Sequence, residues 1–119
     1  MAAFPPTDKP DGACDAEMTV ERLAGLLASA APLAILDVRE PWEREICGLP
    51  DSLAIRMAHL PGLVETLPHD RTLVVVCHHG IRSAHAMAWL RQAGFANAVN
   101  LAGGLDAWAL RIDPKMRRY

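Results

Sequence analysis

Two short runs, LAILDV at 33–38 and TLVVV at 72–76, are apolar at consecutive positions instead of alternate ones. A strand with that pattern must be covered on both faces, which is the habit of parallel sheets flanked by helices. Around the runs lie segments whose apolar residues fall three and four apart, the helical period. In MTVERLAGLLAS, Val20, Leu23, Ala24 and Leu27 share one face. Thr19 is placed to cap that helix, Glu21 sits in its first turn, and Met18 is spaced to staple onto Leu23. EPWEREIC offers Pro41 for a first helical position and Gly48 for a stop. Leu60, Leu63, Val64 and Leu67 again have helical spacing, with Pro61 near the start and Pro68 ending the helix. SAHAMAWLRQA turns Ala86, Met87, Leu90 and Ala93 inward and His85 and Gln92 outward, with Gly94 beyond its end. LAI at 53–55 and AVNL at 98–101 are further strands, and GGLDAWAL a last helix. The alternation predicts an α/β three-layer fold, a central and mostly parallel sheet with helices on both faces. In such folds sites form beyond the carboxyl ends of strands. That directs attention to Asp37 and Arg39, to Cys77, and to residues 101–103.

At 119 residues the chain is one ordinary domain. Residues 1–17, rich in proline, aspartate and small side chains, are expected to form a flexible N-terminal arm, and 18–119 the single folded domain. A net charge of -2 gives no field for nucleic acid or an anionic membrane. The apolar runs are too short to span a bilayer, and the first residues lack the basic and apolar regions of a secretory signal. A soluble cytoplasmic protein is expected. The three cysteines, Cys14, Cys47 and Cys77, are far apart and form no CxxC, which argues against a disulfide framework and a zinc finger. The question becomes which thiol is reactive.

Cys77 ends a strand, and a helix follows within a few residues in VVVCHHGIRS. Such a loop can turn consecutive N–H groups toward the sulfur, backed by the positive end of the next helix. Gly80 permits a tight turn and Arg82 adds a forked cation. These features favour thiolate over thiol, and a thiolate ringed by donors is a nucleophile whose anionic product the same ring can hold. A lone cysteine after a strand is ordinarily a small core hydrophobe, but Gly80 and Arg82 are poor choices around a core plug. Metal binding by Cys77, His78 and His79 is disfavoured, because three adjacent residues rarely aim at one point. His78 and His79 are read as lining the pocket mouth, charged toward an anionic substrate or shuttling a proton, or else as solvent-facing loop residues.

The segments ILDVREPWE, CGLPDSLAI, CHHGIRS, LRQAGF and NLAGGLDAW resemble, in this order, the rhodanese-like domains, across residues 18 to 114. The closing segment at 112–119 resembles the tail of small members with a CHHG-type loop. The resemblance implies a five-stranded parallel sheet and a thiosulfate sulfurtransferase of rhodanese type. Cys77 matches the nucleophile that takes a sulfane sulfur from a donor such as thiosulfate and passes it, through a persulfide, to cyanide or a thiol. His78, His79, Gly80, Ile81, Arg82 and Ser83 match the persulfide cradle, with Arg82 at its basic position. The partners implied are a small sulfur donor and a thiol or cyanide acceptor, with a protein acceptor open. No metal and no organic cofactor is called for, because a ring of donors holds an anionic persulfide. Two-step transfer through Cys77 implies ping-pong kinetics. The chain departs from the pattern at Gly48, where a histidine is usual, at Asp51 for a glycine, and at Arg56 for a proline. Those positions shape a connecting turn, and Arg56 either brings charge near the site or is solvated.

Rival readings remain. Phosphatases and arsenate reductases share the logic of thiolate, N–H ring and arginine. A phosphatase loop, however, places five residues between cysteine and arginine, where only His78, His79, Gly80 and Ile81 stand here. The smaller ring suits a single sulfur atom. A non-catalytic or sulfur-carrier docking module is the other alternative, and the presence of Cys77 disfavours an inert one. Asp37 and Arg39 are read as supporting residues, an internal ion pair in preference to a substrate anchor. Trp42 and Trp108 either wall the pocket or belong to the core, Cys47 is expected to be packed, and Cys14 exposed.

Overall fold

The computed structural model describes residues 16–119. The expectations for Cys14 and for most of the N-terminal arm lie outside the described residues. Five parallel strands form one sheet in the order β1-β5-β4-β2-β3. They are β1 (Glu17–Met18), β2 (Leu33–Asp37), β3 (Leu53–Ala54), β4 (Thr72–Val76) and β5 (Ala98–Leu101). The helices are α1 (Val20–Ala28), α2 (Pro41–Ile46), α3 (Leu60–Leu63), α4 (Ile81–Gln92) and α5 (Gly104–Arg111). The α/β fold with a parallel central sheet is as the sequence pattern predicts.

The two apolar runs became the two central strands, paired in register from Leu33 with Thr72 to Asp37 with Val76. Because side chains alternate across a sheet, β4 feeds two cores. Leu73, Val75 and Cys77 join Leu36, Leu60, Met87 and Leu90 on one face. Val74 and Val76 join Val20, Leu23, Leu101, Leu105 and Trp108 on the other. Cys77 is therefore packed on the face covered by α3 and α4, while α1 and α5 cover the opposite face. Trp108 is core, and Trp42 lies largely exposed on α2.

Local signals fix most element ends. Thr19 accepts from the Arg22 N–H and caps α1, and Met18 joins the same core cluster as Leu23. Glu40 and Glu43 form a capping box ahead of Pro41 in α2. The structure differs from the sequence reading at three places. The described residues include an edge strand, β1, whose first residue Glu17 is the last position of the arm expected over 1–17. The segment at 60–67 is one short helical turn between 3-10 turns, because Pro61 and Gly62 near its start and Pro68 after it leave no room for a long helix. Ala93 is not an inward helix residue but the exposed cap of α4. Among the described residues, no helix is long and apolar enough to cross a membrane.

Candidate active site

The Cys77 sulfur lies at the carboxyl end of β4 and is 1% exposed. It accepts from the Gly80 N–H at 3.2 Å and the Ser83 N–H at 3.3 Å, with the Ser83 hydroxyl also at 3.3 Å. The wider ring expected from residues 78–83 thus closes on the sulfur through two of their N–H groups and one hydroxyl. The backbone turns this way because its carbonyls are held elsewhere. Cys77 and His78 give theirs to the N–H groups of Leu105 and Asp106, both at 2.9 Å, at the start of α5. The Gly80 carbonyl accepts from the Asn100 side-chain amide at 3.1 Å. With oxygens pointing out, amide hydrogens point in.

Glycines allow that close docking. Gly80 has φ +91°, and a β-carbon there would stand 3.1 Å from both the Gly103 nitrogen and the Leu101 oxygen. Gly104, at φ +63°, presses its backbone directly under the carbonyls of Cys77 and His78. The GG pair after β5 is the reason α5 can begin beneath the Cys77 loop.

Arg82 does not extend into open solvent as a free cation. Its fork is held by Glu43, Nη1 to Oε2 at 2.7 Å and Nη2 to Oε1 at 2.8 Å. The hydrogen bonds from Arg82 hold the Glu43 carboxyl down at about 2. Glu43 also accepts from the Tyr119 hydroxyl at 2.9 Å and the Glu40 N–H at 3.0 Å. The same tyrosine accepts from Arg39 at 3.0 Å, and burial raises its hydroxyl to about 12. Asp37 and Arg39 form a fully buried bidentate pair, with Arg39 also bound to the carbonyls of Glu43 and Cys47. Burial opposes the Arg39 charge, but its bonds to Asp37 and Tyr119 outweigh that and keep it protonated. The pair braces the β2 end and the α2 turn, as an internal ion pair would.

The departures from the family pattern acquire physical reasons. Gly48 leaves space for the Arg39 guanidinium, since a β-carbon would meet Nη2 at 3.3 Å. Asp51 adopts φ 63°, the left-handed geometry that a glycine takes without cost and aspartate tolerates. Arg56 pairs with Glu40 at 3.4 Å across the surface.

The two histidines part company. His78 is buried, its ring 3.9 Å from that of Tyr119 and 4.0 Å from that of His79. Burial, helped by His79, pushes it below the usual histidine value. The solvent-facing reading of His78 is thereby corrected, since its side chain is buried. His79 is largely exposed, 3.8 Å from Asp106. Among the described residues, His78, His79 and Asp106 bring ligand atoms within 4.8 Å of one another, enough for three donors to a metal ion, but Arg118 already holds Asp106 at 3.0 Å. Cys47 is half-buried.

Sequence reading overlooked Glu43, Asn100, Glu17 and Tyr119. Asn100 carried a usable signal, since an amide inside the core strand AVNL requires buried partners. Glu43 carried another in its capping-box spacing from Glu40. Arg82–Glu43 and Tyr119–Arg39 join residues dozens of positions apart, which no local pattern encodes.

Three donors, two of them backbone N–H groups, thus face the Cys77 sulfur, a set that suits negative charge there. Comparison with known proteins agrees in kind. The rhodanese-like domain pattern matches residues 19–111. The chain is 38% identical over 115 residues to the probable adenylyltransferase/sulfurtransferase MoeZ of Mycobacterium tuberculosis, covering 94% of this chain and 29% of that protein. The chain thus spans less than a third of the length of that relative. It is 37% identical over 93 residues to a sulfurtransferase of Allochromatium vinosum, covering 78% of this chain and 87% of that one. A rhodanese-related protein from Thermoplasma volcanium superposes with a TM-score of 0.74 at 30% identity, over 82% of this chain and 93% of that structure.

Proposed function

This chain belongs to the rhodanese-like domain family, and on that premise we propose that it is a thiosulfate sulfurtransferase carrying sulfane sulfur on Cys77. The observation that supports the reading is the pair of backbone N–H groups, from Gly80 and Ser83, that converge on the Cys77 sulfur at the mouth of β4. In the first step the Cys77 thiolate attacks the outer sulfur of thiosulfate. A sulfur–sulfur bond forms to Cys77, and the bond to the sulfonate sulfur breaks with its electron pair leaving on sulfite. The product is a persulfide anion, steadied by the donors of the loop. In the second step cyanide or a thiolate takes the outer sulfur, and the electron pair of the broken bond returns to Cys77. Arg82 lies within electrostatic reach of the Cys77 sulfur. Its pairing with Glu43 makes it a post that orients the loop as well as a charge.

Intact mass before and after thiosulfate, then after cyanide, tests this. The expected result is a gain of one sulfur atom on Cys77, removed by cyanide, and absent in Cys77→Ser with the fold preserved. Full turnover by Cys77→Ser would sink the assignment. Transfer to a protein acceptor is a second reading, favoured by the large exposed apolar side chains Ile81 at the start of α4 and Trp42 on α2. A purified protein thiol that discharges the loaded sulfur faster than a small thiol would establish it.

A further inference from the structure

The Ser83 hydroxyl has one proton and two acceptors facing it. Its oxygen lies 3.3 Å from the Cys77 sulfur and within hydrogen-bond distance of Asn100 Oδ1. The orientation of Asn100 is fixed by its other end. Nδ2 donates to Glu17 Oε1 at 3.1 Å, Glu17 Oε2 at 3.2 Å and the Gly80 carbonyl at 3.1 Å. A flipped amide would aim its carbonyl at a carboxylate and a second carbonyl, so Oδ1 must face Ser83. Glu17 reaches this point because β1 pairs with β5 in a register that sets Glu17 opposite Asn100.

With Cys77 as a thiol the chain of bonds is complete: S–H to Ser83 Oγ, and Ser83 O–H to Asn100 Oδ1. With Cys77 as a thiolate it is not. Either the serine proton turns to the sulfur and leaves a buried amide oxygen without a donor, or it stays and turns a lone pair toward an anion. Both are costly inside a protein. The backbone N–H groups of Gly80 and Ser83 favour the thiolate, and Asn100 opposes it.

We propose that Asn100, locked by Glu17 and the Gly80 carbonyl, is a positioning residue that competes with Cys77 for the Ser83 proton and so sets how much charge the sulfur carries. This rests on the sulfur-transfer reading for its purpose. When an acceptor takes the outer sulfur and the electron pair stays on Cys77, the Ser83 hydroxyl turns from Asn100 to the departing thiolate. Asn100 takes the proton's hydrogen bond back when the sulfur is protonated again. Among the described residues, charged groups on the flanking elements that form pairs of their own include Arg82 with Glu43, Asp37 with Arg39, and Asp106 with Arg118 and near His79. His78, buried beside the loop and held below the usual histidine value by that burial, completes the surround.

The test is the rate of Cys77 alkylation by iodoacetamide across pH, resolved by peptide mass to separate Cys77 from Cys47 and Cys14. Asn100→Val, which suits a strand, and Asn100→Ala both remove the competing acceptor. The profile is expected to move to lower pH by about one unit, a roughly tenfold faster reaction on the acid side. Ser83→Ala should move it the other way. In Ser83→Ala combined with Asn100→Val the asparagine effect should vanish, which a merely structural role would not produce. An unmoved profile in the folded Asn100 variants, or a shift that persists without the serine hydroxyl, overturns the proposal. Alkylation requires no sulfur transfer, so failure of the sulfurtransferase reading would show separately, as no sulfur gained by the wild-type protein.

Discussion

A β-carbon placed on Gly104 would stand 2.6 Å from the Cys77 carbonyl oxygen and closer still to that of His78. Both oxygens are backbone, and both are already bound to the start of α5, so neither can swing aside as a flexible side chain would. The φ of +63° adds its own cost for any L side chain, about 1–2 kcal/mol. Gly104→Ala therefore has to push the Cys77 loop away from α5. The loop carbonyls lose their donors, and the N–H groups of Gly80 and Ser83 lose their aim at the sulfur. A displacement near 1 Å at a reacting centre costs on the order of 100-fold in rate. Sulfur transfer by Gly104→Ala is expected to fall by about that factor, well beyond the change in urea midpoint. Near-normal turnover in the variant would show that the cradle tolerates an imperfect seat.

At the scale of elements, α1 ends in an unusual way. Ala30 takes φ 58°, its N–H donates to the Leu27 carbonyl at 3.1 Å, and the Ala31 N–H donates to that of Leu26 at 3.0 Å. That is a Schellman turn with alanine at the position glycine usually fills. Ala30→Gly is expected to stabilise the protein by about 1 kcal/mol, raising the thermal midpoint by roughly 4 °C. A lower midpoint would mean that the gain in unfolded-chain freedom outweighs the relief. The same turn shows what the sequence conveys and what it does not. Thr19, Pro41 and Gly94 announced their helix ends because each acts through local bonds or φ. Ala30 did not, because nothing in its type marks a left-handed residue. The central strands were legible from their unbroken apolar runs. The two-residue β1 was not, because its order comes from pairing with β5 and from Glu17 reaching Asn100. Of the site, Cys77 and Gly80 were readable in one loop. The partners that orient that loop arrive from β5, α2 and the chain's last residue, and only the fold brings them in.

Across the whole molecule, Glu43 is where distant parts of the chain meet. It accepts from Arg82 of the loop helix and from Tyr119, while Arg39 binds that tyrosine from the β2 end. Its carboxyl is held at about 2, against 4.5 as its ordinary value. A carboxyl depressed on folding contributes stability that is fully present above the unfolded value and is lost as pH falls through the folded one. The contribution at neutral pH would slightly exceed about 3 kcal/mol on the full shift, but the Arg82 side chain is 38% exposed and screened, so ~2 kcal/mol is the better expectation. Glu43→Gln removes the charge, yet Arg82 retains enough solvent contact to avoid the larger penalty of a stranded buried cation. Urea unfolding as a function of pH separates this from general acid sensitivity. Near pH 7 the variant should be less stable by ~2 kcal/mol. Between pH 4.5 and about 2 the wild-type protein should lose stability more steeply than the variant, and the two curves should converge at the acid end. Parallel curves throughout that window would mean that Glu43 holds the loop by shape alone, with its charge contributing nothing to the fold.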